Sequence, residues 1–429
     1  MDHIRAPIAF TVRVTTGEER EVTAIVQCVR TGEKHRVRGG RAIGALITRL
    51  AQRGLRQGRK PMQRLVLLIM LATLGFAGPV LADPGDRHED DRNDPGDREV
   101  KIMVRNLYFG ADLAPAIAAK TVPEFIGAVT GIFATVQAST PSARVAAVAA
   151  EIAAAKPDLV GLQEVALWRT QFPPDLAPAP NATTVEFDFL QILLAELAAR
   201  GEVYDVVAVH VTNDIEAPAL TPAGPCCREI RFTDREVILV RAGRPRDPIQ
   251  MSNVQEGTFT AQLPLTLPGG LVYVQKRGWL SVDVRLRGTQ FRFITSHLET
   301  EEAAPIQEQE GQEIVAGPAA TRLPVIFVCD CNSRADGTGT TTYADLLGAG
   351  FDDTWVERHP RNPGLTCCQQ ENLRNVGSTF DRRIDLILLR GHGQVLRARV
   401  VGDEPEDRTA GGLWPSDHAG VVARIRLAR

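Results

Sequence analysis

Short runs of β-branched and other apolar residues, each closed by a polar group, recur along the chain from Val100 onward. Lys101–Val104, Leu159–Leu162, Val203–Val211, Val237–Val240, Leu271–Val274, Leu280–Leu286, Phe291–Thr295, Val325–Val328, Ile384–Leu389 and Val421–Ile425 read as strands. Ala114–Ala138 and Ala143–Ala155 are Ala-rich and helical, and Phe187–Arg200 carries apolar residues at helical spacing. Helices lie between the first few strands, and strands dominate afterwards. That order predicts two packed sheets flanked by helices. No repeat at solenoid spacing is present.

Upstream the texture changes. Phe10–Val14 and Val22–Val29 read as short strands around a turn at Thr16-Gly17, and Ala42–Leu55 as a short basic helix. Basic residues 59–64 then precede the apolar run Leu65–Ala82, which ends in small residues. This is the layout of a signal peptide starting at Met62, or of an anchor just long enough to span a bilayer. Either reading exports the chain beyond residue 82, with membrane association through residues 65–82 in the second. Asp83–Glu99 is almost wholly charged, Pro and Gly, and cannot bury a core. The expected organisation is a basic segment 1–61, a signal or anchor 62–82, a disordered linker 83–99 and a globular domain 100–429.

Charge sharpens this division. Residues 1–61 hold 13 Lys/Arg against 5 Asp/Glu, a net of +8; the whole chain is −3, so residues 62–429 carry −11. An acidic body disfavours broad binding to nucleic acid, which depends on phosphate neutralisation. It leaves room for a local basic groove, for which Arg361, Arg374, Arg382 and Arg383 are available. Leu263–Leu271 offers an apolar loop, or a turn between strands, and Val211–Cys227 reads as an inserted loop. Six of the seven cysteines lie beyond residue 200. In an oxidising compartment they suggest disulfides, and the adjacent pairs Cys226-Cys227 and Cys367-Cys368 suit a loop-to-loop bridge.

Candidate chemistry gathers at strand ends. Asn106 and Glu164 follow the first two strands of the domain, His297 follows Phe291–Thr295, and Asp330 and Asn332 follow Val325–Val328. Side chains two apart on a strand share a face, so Asp330 and Asn332 project together while Cys329 and Cys331 point oppositely, into the core. Asp385 sits in RRIDLIL, and Asp417 and His418 sit in PSDHAGVV.

The stretches VRNLYFG, PDLVGLQEV, FITSHLET, IFVCDCNSR, RRIDLIL and PSDHAGVV, in this order, resemble the endonuclease/exonuclease/phosphatase family. The resemblance implies a four-layer α/β/β/α sandwich, two mixed sheets flanked by helices, with the site at one edge of the paired sheets. It implies a monomeric hydrolase that cleaves a phosphodiester, in a nucleic acid or a phospholipid headgroup, with Mg²⁺ or Mn²⁺. Glu164 is then the principal metal ligand, with Asn106 and Asp417 beside the metal. Asp385 and His418 form the acid–base or phosphate-stabilising dyad. Asp330 and Asn332 position water and phosphate, and His297 binds phosphate or protonates the leaving group. Cys329 and Cys331 replace the family's usual glycine and aromatic. The family's phosphate-binding Tyr and Arg have no evident counterpart, and Asp234-Arg235-Glu236 is the nearest supporting segment. The chemistry requires these residue types. Attack on an anionic ester needs charge neutralisation by an oxygen-held cation. It also needs a histidine whose tautomer is fixed by a carboxylate. An inositol- or sugar-phosphate phosphatase is the alternative within the family, and a non-catalytic membrane-tethered binding module is the alternative outside it.

Overall fold

The computed structural model describes strands at residues 10–16, 22–28 and 34–38, and residues 98–428 apart from 178, 222–226 and 244–247. The expected helix Ala42–Leu55, the run 65–82 and nearly all of the linker lie outside the described residues. The chain divides into two compact units, Met1–Glu89 and Asp90–Arg429. In the first, β1 (Phe10–Thr16), β2 (Val22–Cys28) and β3 (Lys34–Arg38) form an antiparallel sheet in sequence order. The third strand is not evident from the sequence.

The second unit is built on two sheets. The eight-stranded sheet contains β4 (Glu99–Asn106), β5 (Leu159–Gln163), β6 (Leu167–Gln171), β7 (Thr184–Asp188), β8 (Tyr204–Ala219) and β9 (Arg228–Arg241). The six-stranded sheet contains β10 (Gln250–Thr258), β13 (Gly278–Leu286), β14 (Thr289–His297), β15 (Val325–Asp330), β16 (Phe351–Asp353) and β17 (Asp385–Arg390). Between β10 and β13 the chain makes a separate hairpin, β11 (Leu263–Thr266) and β12 (Val272–Gln275). After β17 it returns to the first sheet as β18 (Gly393–Val401) and β19 (Gly420–Leu427). Each sheet contains one parallel pair, β4 with β5 and β14 with β15.

Alternation along the strands fills three layers of core. Ile102, Val104, Leu159 and Ile238 of one sheet meet Val282, Phe293, Ile326 and Val328 of the other. On the outer side of the larger sheet, Met103, Val160 and Leu162 pack with residues of α2 (Val122–Ala138), α3 (Pro141–Ala155) and α4 (Phe189–Ala199). On the outer side of the smaller, Val325, Phe327, Cys329 and Cys331 pack with α5 (Ala304–Ala316) and α6 (Thr342–Gly348). The result is the four-layer sandwich that the resemblance implied.

Several expected elements change. The helix Ala114–Ala138 is two helices, α1 (Ala114–Ala118) and α2. Thr121 caps α2 by accepting from the Glu124 amide, and Pro123 fits only in a first turn. Val211–Cys227 is not a loop throughout, because β8 continues to Ala219 against β9. The polar residues Thr212, Asn213, Asp214 and Glu216 concealed this strand, which stays paired through bulges at Val206/Ala208 and Val211/Asn213. Strand β9 starts at Arg228, so Asp234-Arg235-Glu236 lies within it rather than before it. Leu263–Leu271 is β11 and its turn into β12. Cys367 does not bridge to another loop but is bonded to Cys368, and Cys329 is bonded to Cys331; Cys226, of the other adjacent pair, lies outside the described residues.

Candidate active site

Two topological facts bring the polar strand ends together. Strands β4, β5, β14 and β15 finish at one edge of the sandwich, and the antiparallel β17 and β19 begin there. Register then places His297 opposite Asp330 and Asp330 opposite Asp385. Asn106 pairs with Gln163, which delivers the next residue, Glu164, to the same edge. Asp330 follows the parity of Ile326 and Val328, so it faces between the sheets, while Cys329 and Cys331 enter the outer core as the alternation requires.

Where the strands end, the backbone turns sharply. Glu164 has φ of 56°, Asn332 47° and Tyr108 59°. Left-handed conformations in non-glycine residues are uncommon and concentrate at functional sites. Two of the three are held by a hydrogen bond from the backbone amide to a side chain two residues before. The Asn332 amide donates to Asp330 Oδ1 (3.2 Å), and the Tyr108 amide donates to Asn106 Oδ1 (2.8 Å).

Asp330 is the hub. Asn106 Nδ2 donates to its Oδ2 at 2.9 Å and to Glu164 Oε1 at 3.0 Å. His297 Nε2 lies 3.4 Å from Asp330 Oδ2 and His418 Nε2 lies 3.7 Å from it. His418 Nδ1 meets Asp385 Oδ2 at 2.8 Å, and Asn332 Nδ2 is 3.1 Å from His297 Nε2. All eight residues singled out in the sequence therefore converge. Asp417 joins through its charge, which acts on Glu164, Asp330 and His418. Asn106 offers the cluster its amide N–H₂, its oxygen being taken by Tyr108, so it holds two carboxylates together.

Electrostatics separates the groups. Burial works against a charge on His418, but Asp385, Asp330 and Asp417 outweigh it and raise the pKa well above the ordinary value. Burial and the neighbouring Arg277 lower His297 to about 3. Asp330 is buried, yet the two histidines and the Asn106 bond hold it below the usual carboxylate range. Burial, then Asp417, pushes Glu164 up to about 8, and Asp417 is also raised, by burial first. Carboxylates packed with too little positive charge are a site that a divalent cation fits. Ligand atoms of Glu164, His297 and Asp330 lie within 4.8 Å of one another.

Sequence reasoning missed several supports. Arg277 Nη1 lies 2.9 Å from His297 Nδ1, and the side chain is buried beside Glu299 and Asp234. It immediately precedes β13, between two of the expected strands. Arg144, fully buried on α3, donates to the carbonyls of Leu107, Tyr108 and Pro415, tying the two loops that carry Asn106 and His418. Thr366 Oγ1 accepts the amides of Ile384 and Asp385, and its carbonyl accepts the Ala419 amide. Of Asp234-Arg235-Glu236, Glu236 comes within 3.9 Å of His297 Nδ1, whereas Arg235 pairs with Asp188. Arg383 braces the fold against Asp353 at 2.7 Å rather than lining a groove.

The family model described as "Endonuclease/Exonuclease/phosphatase family" matches residues 133–418. No curated protein matches the chain. Solved structures similar to it include a family protein from Leptotrichia buccalis C-1013-b, at 15% identity and TM-score 0.44, covering 76% of this chain and 100% of the other. TDP2 from D. rerio, complexed with a single-strand DNA product, is 16% identical with TM-score 0.44, over 77% and 100% of the two chains. A mannosyl-6-phosphatase from Bacteroides thetaiotaomicron VPI-5482 is 16% identical with TM-score 0.43, again over 77% and 100%.

Proposed function

For a chain that belongs to the endonuclease/exonuclease/phosphatase family, we propose an exported, divalent-metal-dependent phosphoesterase that hydrolyses a phosphodiester by attack of water. The observation that carries this reading is the convergence on Asp330 of a carboxylate cluster, a His418–Asp385 dyad and a neutral His297. Glu164 and Asp417, with Asp330 behind them, would hold Mg²⁺ or Mn²⁺, which supplies charge neutralisation at the phosphate and a polarised oxygen.

The side chains divide the remaining work. Asp385 accepts the hydrogen bond of the His418 Nδ1–H and so turns the Nε2–H toward Asp330 and the space in front of it. Three carboxylates keep His418 cationic at neutral pH, which suits it to stabilise negative charge developing on phosphate. Asp330, held ionised between the histidines, accepts the proton of the attacking water. Arg277 donates to Nδ1 of His297 and, with burial, keeps the ring uncharged and fixed in orientation beside the phosphate. Asn106 and Asn332 fix the distances among these groups. Export rests on the apolar run at residues 65–82 and its basic flank.

The test is hydrolysis by the purified chain of plasmid DNA, RNA, sphingomyelin, phosphatidylcholine and an inositol phosphate, with Mg²⁺, Mn²⁺ or EDTA. Turnover that requires metal and His418 supports the reading. A folded chain that binds no metal and turns over none of them points to the binding module instead.

A further inference from the structure

An apolar cavity lies beside the candidate catalytic cluster and shares two walls with it. It encloses about 130 Å³. A cavity of roughly 150 Å³ admits a benzene-sized ligand. Leu113, Phe125, Val129 and Ile132 of the α1–α2 region form one side, Ile215 and Phe232 the sheet floor, and Leu265 and Leu267 of the hairpin the third side. Polar groups gather at one end, Asn213, Asp234, Tyr273, Gln275 and Arg277.

That polar end adjoins the chemistry. Phe109 lines the cavity, and its amide donates to Glu164 Oε2 at 2.8 Å. Arg277 lines it and touches His297 at 2.9 Å. Asp234, a third lining residue, acts on the charge of Glu164. A phosphate seated at Glu164 and His297 therefore lies one residue away from an apolar chamber at two separate points.

The outer rim is apolar as well. Ile117 is 39% exposed, Val122 50%, Leu271 63% and Val272 60%. The hairpin turn approaches the start of α2, a Cβ on Gly269 falling 3.9 Å from Val122. These residues thus surround one region rather than being scattered, and a clustered apolar rim marks a surface that meets an apolar phase.

Resting on the phosphoesterase reading above, we propose that the cavity takes a hydrocarbon chain of a membrane phospholipid whose phosphodiester is cleaved at the adjoining cluster. The lining offers hydrocarbon no hydrogen bonds to satisfy except at the phosphate end. A polyanion is disfavoured by the −11 charge of residues 62–429 and by Asp234 at the junction. The exposed rim is explained by a bilayer and by neither a nucleotide nor a sugar phosphate.

The experiment measures binding, so it does not require the scissile headgroup to be known. Calorimetry on the full chain with Mg²⁺ compares inorganic phosphate with ethyl, butyl, hexyl and octyl phosphate, and with phenyl phosphate and a mononucleotide. Burial of a methylene is worth up to about a fourfold gain in affinity. The expected result is a rise of at least ~10-fold from ethyl to octyl phosphate. Ala116→Trp, which fills the cavity from the short helix, removes that gain and leaves inorganic phosphate binding unchanged. Val272→Asp, on the rim and outside the cavity lining, spares octyl phosphate binding and lowers turnover of phosphatidylcholine or sphingomyelin vesicles. Equal affinity across the alkyl series overturns the chain-binding proposal while leaving the phosphoesterase reading in place. Tighter binding of phenyl phosphate or the mononucleotide than of octyl phosphate overturns it in favour of an aromatic substituent. Failure of every phosphate to bind overturns the underlying reading itself.

Discussion

The guanidinium of Arg277 lies 2.9 Å from Nδ1 of His297. Arginine has no acceptor, so His297 takes this bond through the Nδ1 lone pair of an uncharged ring. Burial is the larger cause of its low pKa of about 3, and Arg277 the second. Arg277→Met is expected to move the His297 pKa upward, short of the ordinary value because burial remains. Proton NMR of the ring Cε1–H reads this directly. An unmoved resonance titration would remove Arg277 from the account.

The dyad gives the simplest catalytic prediction. His418→Ala and Asp385→Asn should each lower kcat by about 10²–10⁴-fold, the range of a positioned acid–base group. Glu164→Ala should lose at least about 10²-fold. Each variant is expected to keep its far-UV circular dichroism. Full activity in a purified variant would reject the corresponding role.

Proton and metal should compete at Glu164. Its pKa of about 8 without metal arises from burial first and Asp417 second. The acid is therefore largely protonated at pH 6–7, and a cation must displace that proton. Mg²⁺ affinity is expected to rise by up to tenfold per pH unit as pH approaches 8, then level off. Asp417→Asn removes one like charge and should shift the levelling to lower pH. Calorimetry in buffers of differing ionisation heat counts the protons released.

Folding stability carries a second pH signature. Burial pushes Glu310 up to about 8, above its ordinary 4.5, with one oxygen held by the Glu299 amide and the other without a partner. Between those values the folded chain binds a proton that the unfolded chain does not. This contribution to stability is fully present below about pH 4.5, and is lost as pH rises through 8. Glu310→Gln keeps the acceptor and cannot ionise, so its stability relative to the parent should grow across that window. Urea titrations at pH 5, 6.5 and 8 provide the comparison.

Sheet contact behind the site depends on Gly161. A Cβ there would run into Val328 Cγ2 and Thr295 Oγ1 of the opposite sheet. Thr295 Oγ1 also accepts from Gln163 Nε2 at 2.9 Å. Gly161→Ala should cost about 1–3 kcal/mol through overpacking. Adding Val328→Ala should recover part of that loss, giving a non-additive cycle in denaturant melts.

The candidate site residues were legible because each lies beside an apolar run and belongs to a residue type that metal or acid–base chemistry uses. His297, Asp330 and Asp385 could be named without knowing that they stand opposite one another in β14, β15 and β17. Arg277 and Arg144 were not legible. An arginine before a strand or on an Ala-rich helix ordinarily meets water, and only packing shows both sealed beneath the site. Strand β8 was hidden beyond Val211, since pairing to β9 rather than apolar alternation sustains it.

By itself the sequence determined the alternation that gives each strand its buried face, the polar groups at the strand ends, and the order of motifs that marks the family. These depend on local geometry, which fixes a side chain's face two residues at a time. Tertiary structure decided the protonation of His297 and His418, the bridging role of Asn106, and the apolar cavity against Phe109 and Arg277. Each of these depends on burial and on charges that sequence separates by tens to hundreds of residues, and folding alone brings them within a few ångströms.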